Sequence, residues 1–214
     1  MALLNVNPTR MELTTLKRRL KTATRGHKLL KDKRDEMMRR FVILVRENAR
    51  LRMEVEKALS EALGEFALCS GVMEPEALEE AVLYPARSAK LNIGKKNIMS
   101  VDVPMLEVDE QSLGETVLSY GLAQTSSQLD GAIASLADVL PEMIKLAEIE
   151  KTCNLLADEI EKTRRRVNAL EYVMIPDLHE TIRFITMKLD ENERSSQTRL
   201  MKVKDMITER GQAG

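Results

Sequence analysis

Few side chains in this sequence are suited to catalysis or metal binding at neutral pH. The chain has two histidines, His27 and His179, and two cysteines, Cys69 and Cys153. Neither histidine belongs to a Glu-x-x-His pair of the kind that holds two metal ions in a helical bundle. No G-x-x-x-x-G-K-S/T sequence is present to hold nucleotide phosphates. We therefore predict that the chain is not an enzyme and has no catalytic residues, no metal and no cofactor.

Charge is distributed unevenly along the chain, although the net charge is only -1. Residues 9–62 hold 16 Lys and Arg against 8 Asp and Glu, whereas residues 63–150 hold 5 against 15. The basic clusters Lys17–Arg19 and Arg164–Arg166 are not accompanied by aromatic stacking residues or a nucleic-acid motif. Such runs are typical of the solvated faces of coiled coils. We therefore favour solvated faces or a protein partner, and we predict no nucleic-acid binding.

A regular apolar repeat that reaches Ala62 defines the first helix, which we predict from Thr9 to near Ser70-Gly71, with Thr9 and Glu12 as a capping box. Twelve of the fifteen repeat positions are apolar, and their register holds over seven heptads. Such a seam needs a partner helix along its whole length of about 80 Å. The seam residues are Leu13, Leu16, Leu20, Ala23, His27, Leu30, Arg34, Met37, Phe41, Leu44, Asn48, Leu51, Val55, Ala58 and Ala62.

Residues 71–111 depart from the helical pattern and contain three of the six prolines. Pro75 to Leu83 is predicted to form a short helix. Lys90–Ile93 and Ile98–Val103 are predicted to be two strands, because apolar and polar residues alternate along them. The tip of the resulting β-hairpin is then formed by Gly94, Lys95, Lys96 and Asn97.

Helical spacing resumes after this insertion, with Ser112 and Glu115 as a second candidate capping box. We expect Pro141 to interrupt the helix and a last helix to follow, with a bend or local break near Pro176, where the apolar period changes. The predicted segments are residues 1–70 (N-terminal coiled-coil helix), 71–111 (short helix and β-hairpin), 112–140 (connecting helix) and 141–214 (C-terminal coiled-coil helix).

These elements predict a protein dominated by α-helices. Its N- and C-terminal helices form a long antiparallel two-helix coiled coil, with a short helix and a β-hairpin in a small central region. The last helix has a seam of its own, at Leu146, Ile149, Cys153, Leu156, Ile160, Thr163, Val167, Leu170 and Met174. Matching the apolar layers of the two seams predicts a register in which the numbers of two facing residues add up to about 215. The polar seam residues His27, Arg34 and Asn48 are interpreted as residues that fix this register, and Arg34 is expected to pair with Glu180.

The cysteines, the absence of long apolar runs and the first residues predict where in the cell the protein is located. Two isolated cysteines favour a reducing compartment over a disulfide framework. No apolar run approaches the roughly 18 residues that a membrane span requires, and residues 1–7 lack the regions of a signal peptide. We predict a cytoplasmic protein that does not insert into a membrane.

Several runs resemble the D subunit of the prokaryotic V-type and A-type rotary ATPases. They lie in both halves of the chain, so the resemblance covers essentially all of it. They are Asn7–Arg10, Arg25–Asp35, Glu161–Glu171, Ile175–Pro176 and Leu189–Glu191.

The resemblance implies a central rotor shaft that transmits torque between a catalytic hexamer of A and B subunits and a membrane ring that moves ions. It also implies that the F subunit of the central stalk binds the side of the shaft, and that a funnel-shaped subunit links its lower end to the ring. Arg10, Lys17, Arg18 and Arg19 are then expected to face the hexamer, and the hairpin tip is expected to regulate the motor.

Two other functions remain compatible with the residue patterns alone. A static coiled-coil scaffold or tether would show the same seam, and co-purification with an ATPase hexamer would distinguish it from a shaft. A rod that binds nucleic acid is the third hypothesis, tested by the mobility of DNA at physiological salt.

Overall fold

The fold was analysed in a computed structural model, which describes residues 6–84, 89–109, 118–121 and 125–212. Long helices at both ends and a short helix with a two-stranded antiparallel hairpin between them confirm the predicted fold class. Within the described ranges the elements are α1 (Arg10–Val72), α2 (Pro75–Leu83), β1 (Leu91–Ile98), β2 (Val101–Val108), α3 (Ser127–Ala169), a π-helical segment (Leu170–Met174) and α4 (Ile175–Gln212).

The chain divides into two compact units. The terminal unit comprises Met1–Asp35 and Glu161–Gly214, and the central unit comprises Glu36–Ile160. In the terminal unit the start of α1 packs antiparallel on α4. Its core contains Leu16, Leu178 and Ile185, each almost fully buried, because the apolar stripes of the two helices meet there.

The core of the central unit lies where α1, α2 and α3 meet. Cys69, Ala81 and Leu129 are buried together and are surrounded by half-buried apolar side chains. Tyr120 lies at the edge of this cluster, and its hydroxyl donates a 2.7 Å hydrogen bond to Asp130 Oδ1. Short α2, with a proline at its start, thereby caps the end of α1.

The seam predicted in α1 is confirmed, since all fifteen positions are buried or half-buried. The start of the helix is confirmed as well. Thr9 Oγ1 accepts a 3.3 Å hydrogen bond from the backbone N–H of Glu12, which satisfies one of the free donors at a helix N-terminus.

The register predicted between the two long helices is wrong. In the terminal unit, His27 Nε2 lies 3.4 Å from Glu171 Oε2. In the central unit, Arg52 Nη1 lies 3.5 Å from Glu150 Oε1. In both units the numbers of two residues that face each other add up to about 200, not to about 215. One helix is therefore shifted along the other by roughly two heptads from the predicted register. Two regular seams match layer by layer at any slip of whole heptads, so apolar matching alone does not select the register.

The predicted pairing of Arg34 with Glu180 is absent for a local reason. Arg34 Nε and Nη2 lie 3.0 and 2.7 Å from Asp35 Oδ1, the carboxylate of its own neighbour. The side chain also remains partly exposed. A guanidinium that is paired locally and is partly solvated needs no carboxylate from the opposite helix, and Glu180 is exposed.

Pro141 does not interrupt the helix, contrary to the prediction. It lies inside α3, which is continuous from Ser127 to Ala169. A proline inside a helix costs about 3 kcal/mol, and burial of the apolar side chains of α3 offsets that cost. Leu118 is not helical, and the predicted capping box at Ser112 and Glu115 lies outside the described residues.

The local break expected near Pro176 is confirmed. Leu170–Met174 form a π-helical turn, in which the N–H of Ile175 bonds to the carbonyl of Leu170. Pro176 follows in the first turn of α4, where the missing N–H is tolerated. The extra residue of the π turn accounts for the change of apolar period, because it shifts every later side chain around the helix axis.

The β-hairpin exists, but its tip is not where the sequence placed it. Gly94–Asn97 lie within β1, opposite Asp102–Met105 of β2. The tip is Met99-Ser100, with φ of 52° and 72°, as in a two-residue type I′ turn. Asn97 stabilises this turn because its Oδ1 accepts a 3.1 Å hydrogen bond from the N–H of Ser100.

Candidate functional site

The first candidate surface is the basic start of α1. Lys17, Arg18 and Arg19 are exposed and form no ion pair within the described part of the chain, so their charge is available to a partner. Arg10 differs, because it already forms an ion pair with Glu193 of α4. The structure therefore brings three of the four predicted basic residues together as free cations, and the fourth is paired within the terminal unit.

An apolar groove adjoins this basic surface. It has a volume of about 630 Å³ and lies between α1 and the π-helical segment. Arg18 and Arg19 form part of one wall, and Val173 and Met174 form part of the other. The π turn explains why these two apolar side chains are about half exposed, since it rotates them away from the seam. The sequence signal for this groove is the change of apolar period near Pro176, which predicts a bend or a local break but no groove.

The polar seam residues occupy three different environments. His27 approaches Glu171, and Arg34 pairs with Asp35, as described above. Asn48 has a buried side-chain oxygen that accepts no hydrogen bond within the described residues. An unsatisfied buried amide costs stability, which agrees with a role in specifying the pairing of helices, although no contact here assigns that role.

The hairpin is fixed to α3 by a carboxylate. Glu148 Oε2 accepts a 3.0 Å hydrogen bond from the backbone N–H of Leu106 in β2. Val103 of the same strand is buried, whereas Leu91 and Ile93 of β1 are exposed. One edge of this small sheet is therefore held on the coiled coil, and the other is open. Lys95 and Lys96 are exposed on the open strand.

The turn from α1 to α2 and the end of α2 expose large apolar side chains. Val72, Leu83 and Tyr84 are each more than half exposed, and Leu83 lines an open cleft together with Phe66 and Leu78. An open cleft with apolar walls is a candidate contact for another protein. The sequence predicts the helix Pro75–Leu83, but it does not show which apolar side chains of that helix remain exposed.

The titratable groups inside the core are structural. Burial and the nearby carboxylates of Glu150 and Glu47 raise the pKa of the Cys153 thiol. Burial and the hydrogen bond to Asp130 raise the pKa of Tyr120 above that of free tyrosine. No group of three His, Cys, Asp or Glu in the described ranges could hold a metal ion. None of the described helices combines the length and apolar character needed to cross a membrane.

The fold defines a class of protein: a helical protein whose long terminal helices pack antiparallel as a coiled coil, with a short helix and a hairpin inserted between them. Comparison with known protein families identifies the family to which the chain belongs. A family model of the ATP synthase D subunit matches residues 12–205. This chain belongs to the family of ATP synthase D subunits.

Similar proteins are known from several bacteria, each named as the D subunit of a V-type ATP synthase. One from Clostridium botulinum (strain Langeland, type F) is 59% identical over 209 residues, 97% of each chain. Another, from Clostridium botulinum (strain Alaska E43, type E3), is 56% identical over 99% of this chain and 100% of its own. A third, from Thermoanaerobacter sp. (strain X514), is 56% identical over 97% of this chain and 99% of its own.

Proposed function

We propose that this chain is the central rotor shaft of a V-type ATP synthase. It would transmit torque between a catalytic hexamer of A and B subunits and a membrane ring that moves ions, during ATP synthesis or ATP-driven transport. One observation carries the proposal: the family match extends over residues 12–205, which include most of both long helices.

The chain is proposed to be a non-catalytic subunit, peripheral to the membrane on its cytoplasmic side. ATP would be hydrolysed or made on the partner subunits. The physical requirement of a shaft is resistance to bending and twisting, and paired helices with a continuous apolar seam supply it. The π turn before Pro176 and the groove beside it give the two faces of the coiled coil different shapes, as a shaft that acts on the catalytic sites of the hexamer in turn requires.

Lys17, Arg18 and Arg19 are proposed to face the hexamer. Free surface cations attract carboxylates over a distance of about 8–10 Å at physiological salt, and such contacts exchange with water at little cost. A bearing needs that property, because the same side chains must leave one subunit and meet the next. The groove beside them would be engaged by the hexamer at particular rotation angles.

The other partners are proposed by the same reasoning. The apolar side chains of Val72, Leu83 and Tyr84 would sit in the funnel-shaped subunit that links the shaft to the ring, because that contact does not slide. The F subunit would bind the side of the coiled coil. The hairpin, held by Glu148, would modulate the rate of the motor rather than take part in chemistry.

Reconstitution tests the proposal. The purified chain alone should not hydrolyse ATP, whereas its addition to a hexamer of A and B subunits should change the turnover of that hexamer. A static scaffold would bind the hexamer and leave its turnover unchanged. Hydrolysis by the pure chain that persists through further purification would contradict the non-catalytic role.

A further inference from the structure

The apolar stripe by which α4 packs on α1 continues beyond the part of α4 that α1 covers. Leu178 and Ile185 of this stripe are almost fully buried. Its continuation, which we call the end stripe, consists of Leu200, Val203 and Ile207. At 100° per residue, all three lie within about 40° of Leu178 around the helix axis, so they belong to the same face. The described part of the chain leaves them 68%, 46% and 67% exposed, respectively.

The start of α1 explains why the end stripe has no helix packed on it. Arg10, the first residue of α1, forms an ion pair with Glu193 of α4. The end stripe begins about 10 Å beyond Glu193 along α4 and ends about 21 Å beyond it. Because the two helices are antiparallel, α1 does not reach that height. An exposed apolar face that continues a buried interface is a candidate contact for another segment of protein.

The residues before α1 are unusually apolar. Of residues 1–6, which we call the leading segment, five are apolar and none is charged. Residues 1–5 lie outside the described residues. Val6 is described, and it is half-buried without being helical, whereas residues 7–9 are exposed. Protein therefore already covers part of the Val6 side chain. Pro8 also favours an extended backbone at Asn7, so the helix is not expected to continue backwards into the leading segment.

An extended leading segment has the length needed to follow the end stripe. Extended chain rises about 3.3 Å per residue, so the backbone spans up to about 13 Å from Arg10 to Val6 and up to about 20 Å from Arg10 to Leu4. Since Arg10 lies at the height of Glu193, Val6 can reach the first half of the end stripe and Leu4 its last residue. The apolar positions of the two segments therefore match in height.

A groove marks the path between the two segments. It has a volume of about 370 Å³, and it is lined by Arg10 at one end and by residues of α4 as far as Leu200. Alternate side chains of an extended segment point to the same side. Leu4 and Val6 can then both face α4, while Asn5 faces water.

We propose that the leading segment lies in extended form along α4 and covers the end stripe, with Leu4 and Val6 as its apolar contacts. The occupant of this surface is thus a segment of the same chain. Apolar surface of both segments leaves water, which is the driving force for the contact. Continuity with the buried stripe of the terminal unit places the contact, and the chain length before Arg10 limits it to residues 1–6.

A tryptophan reporter tests the proposal in the full chain, because the sequence contains no other tryptophan. Val203→Trp places the reporter on the end stripe, and Met201→Trp places it about 160° away around the axis, at an exposed position. The reporter at Val203 should emit at shorter wavelength and be quenched less by acrylamide than the one at Met201. Leu4→Asp should remove that difference. Asn5→Asp adds the same charge one residue away and should preserve the difference. The helical signal should be the same in all variants.

A disulfide gives a second measurement in a chain with Cys69 and Cys153 replaced by alanine. Cysteines introduced at Leu4 and Ile207 should form a bond within one molecule under mild oxidation. The matched control carries cysteines at Leu4 and Asp205, which lies at nearly the same height on the opposite side of α4. The control pair should stay reduced under the same conditions, because its thiols face away from each other.

Equal emission and quenching of the two reporters in the free chain would show that the end stripe is in water, and would overturn the proposal. A reporter at Val203 that stays shielded after Leu4→Asp would overturn it too, and shielding that rises with protein concentration would assign the stripe to a second copy. Shielding that appears only when a hexamer is added would assign it to a partner instead. Equally efficient bonding of the control cysteines would also contradict the proposed path. The shaft function does not depend on this contact, since it is tested separately by hexamer turnover.

Discussion

A disulfide across the terminal unit distinguishes the observed register from the one that the apolar layers suggested. Leu16 packs with Ile185 in the structure, whereas the register with sums of about 215 places Leu16 near Leu200. Positions 185 and 200 are separated by about 22 Å along α4. Two Cα atoms joined by a disulfide lie only about 4.4–6.8 Å apart. A single pair of cysteines therefore cannot satisfy both registers.

The experiment replaces Cys69 and Cys153 by alanine and introduces cysteine at Leu16 and Ile185. The matched control carries cysteine at Leu16 and Leu200. Mild oxidation should close the first pair within one molecule and leave the control pair open, as judged by mobility on a non-reducing gel. Closing a loop of about 170 residues should stabilise the oxidised form by about 5 kcal/mol over its own reduced form in the chain-entropy model.

The opposite pattern of disulfide formation would contradict the observed register. Efficient bonding in the Leu16 and Leu200 control, or none between positions 16 and 185, would refute the packing described for the terminal unit. Both engineered residues of the first pair are almost fully buried, and each substitution removes apolar atoms worth about 0.8 kcal/mol per methylene. The stability comparison is therefore made between the oxidised and reduced forms of one variant, not against the parent chain.

Three further predictions follow from the surfaces. Replacing Lys17, Arg18 and Arg19 by glutamate should weaken assembly with the hexamer and reduce its salt dependence; unchanged assembly at low salt, measured by co-sedimentation, would exclude these residues as the bearing. Because the folded-state pKa of Tyr120 is raised, its contribution to stability is complete below about pH 10 and is lost as the pH rises further, so the difference in stability between the wild type and Tyr120→Phe should shrink above that pH in urea titrations. Glu148→Gln keeps an oxygen acceptor but weakens its charge-assisted bond to the hairpin, so amide exchange in β2 should accelerate while the helical signal is unchanged; exchange equal to wild type would show that this bond does not hold the hairpin.

Periodicity predicted the parts of the fold that depend on which face of a helix is apolar. The fifteen seam positions of α1 and the short helix Pro75–Leu83 were readable because burial follows a spacing of three and four residues. The break before Pro176 was readable for the same reason, since a change of period requires extra rotation. These are local properties, and each is determined within a few turns of chain.

The register and the hairpin tip were not readable in this way. A slip of two heptads preserves every apolar layer, so the register depends on contacts between distant residues, such as His27 with Glu171. The hairpin turn was missed because Met99-Ser100 lacks the usual Asn-Gly signature. An asparagine side chain two residues before the turn stabilises it instead. Pro141 shows a third limit, since tertiary packing overrides a local breaker.

Of the candidate surfaces, one could be predicted from the sequence and another required the structure. The basic cluster Lys17–Arg19 was visible in the sequence because charge needs no folding to be counted. The groove beside it depends on the π turn, which exposes Val173 and Met174. The change of apolar period indicates a break there, but it does not show which side chains the break exposes.

Rotation of a single complex tests the central proposal most directly. In a chain with Cys69 and Cys153 replaced, a cysteine introduced at exposed Glu76 would carry a bead, and the hexamer of A and B subunits would be fixed to a surface. On addition of ATP the bead should turn in one direction, at a rate that follows ATP concentration. A bead that stays at a fixed angle while the same hexamers hydrolyse ATP would contradict the proposal that this chain is the rotor shaft.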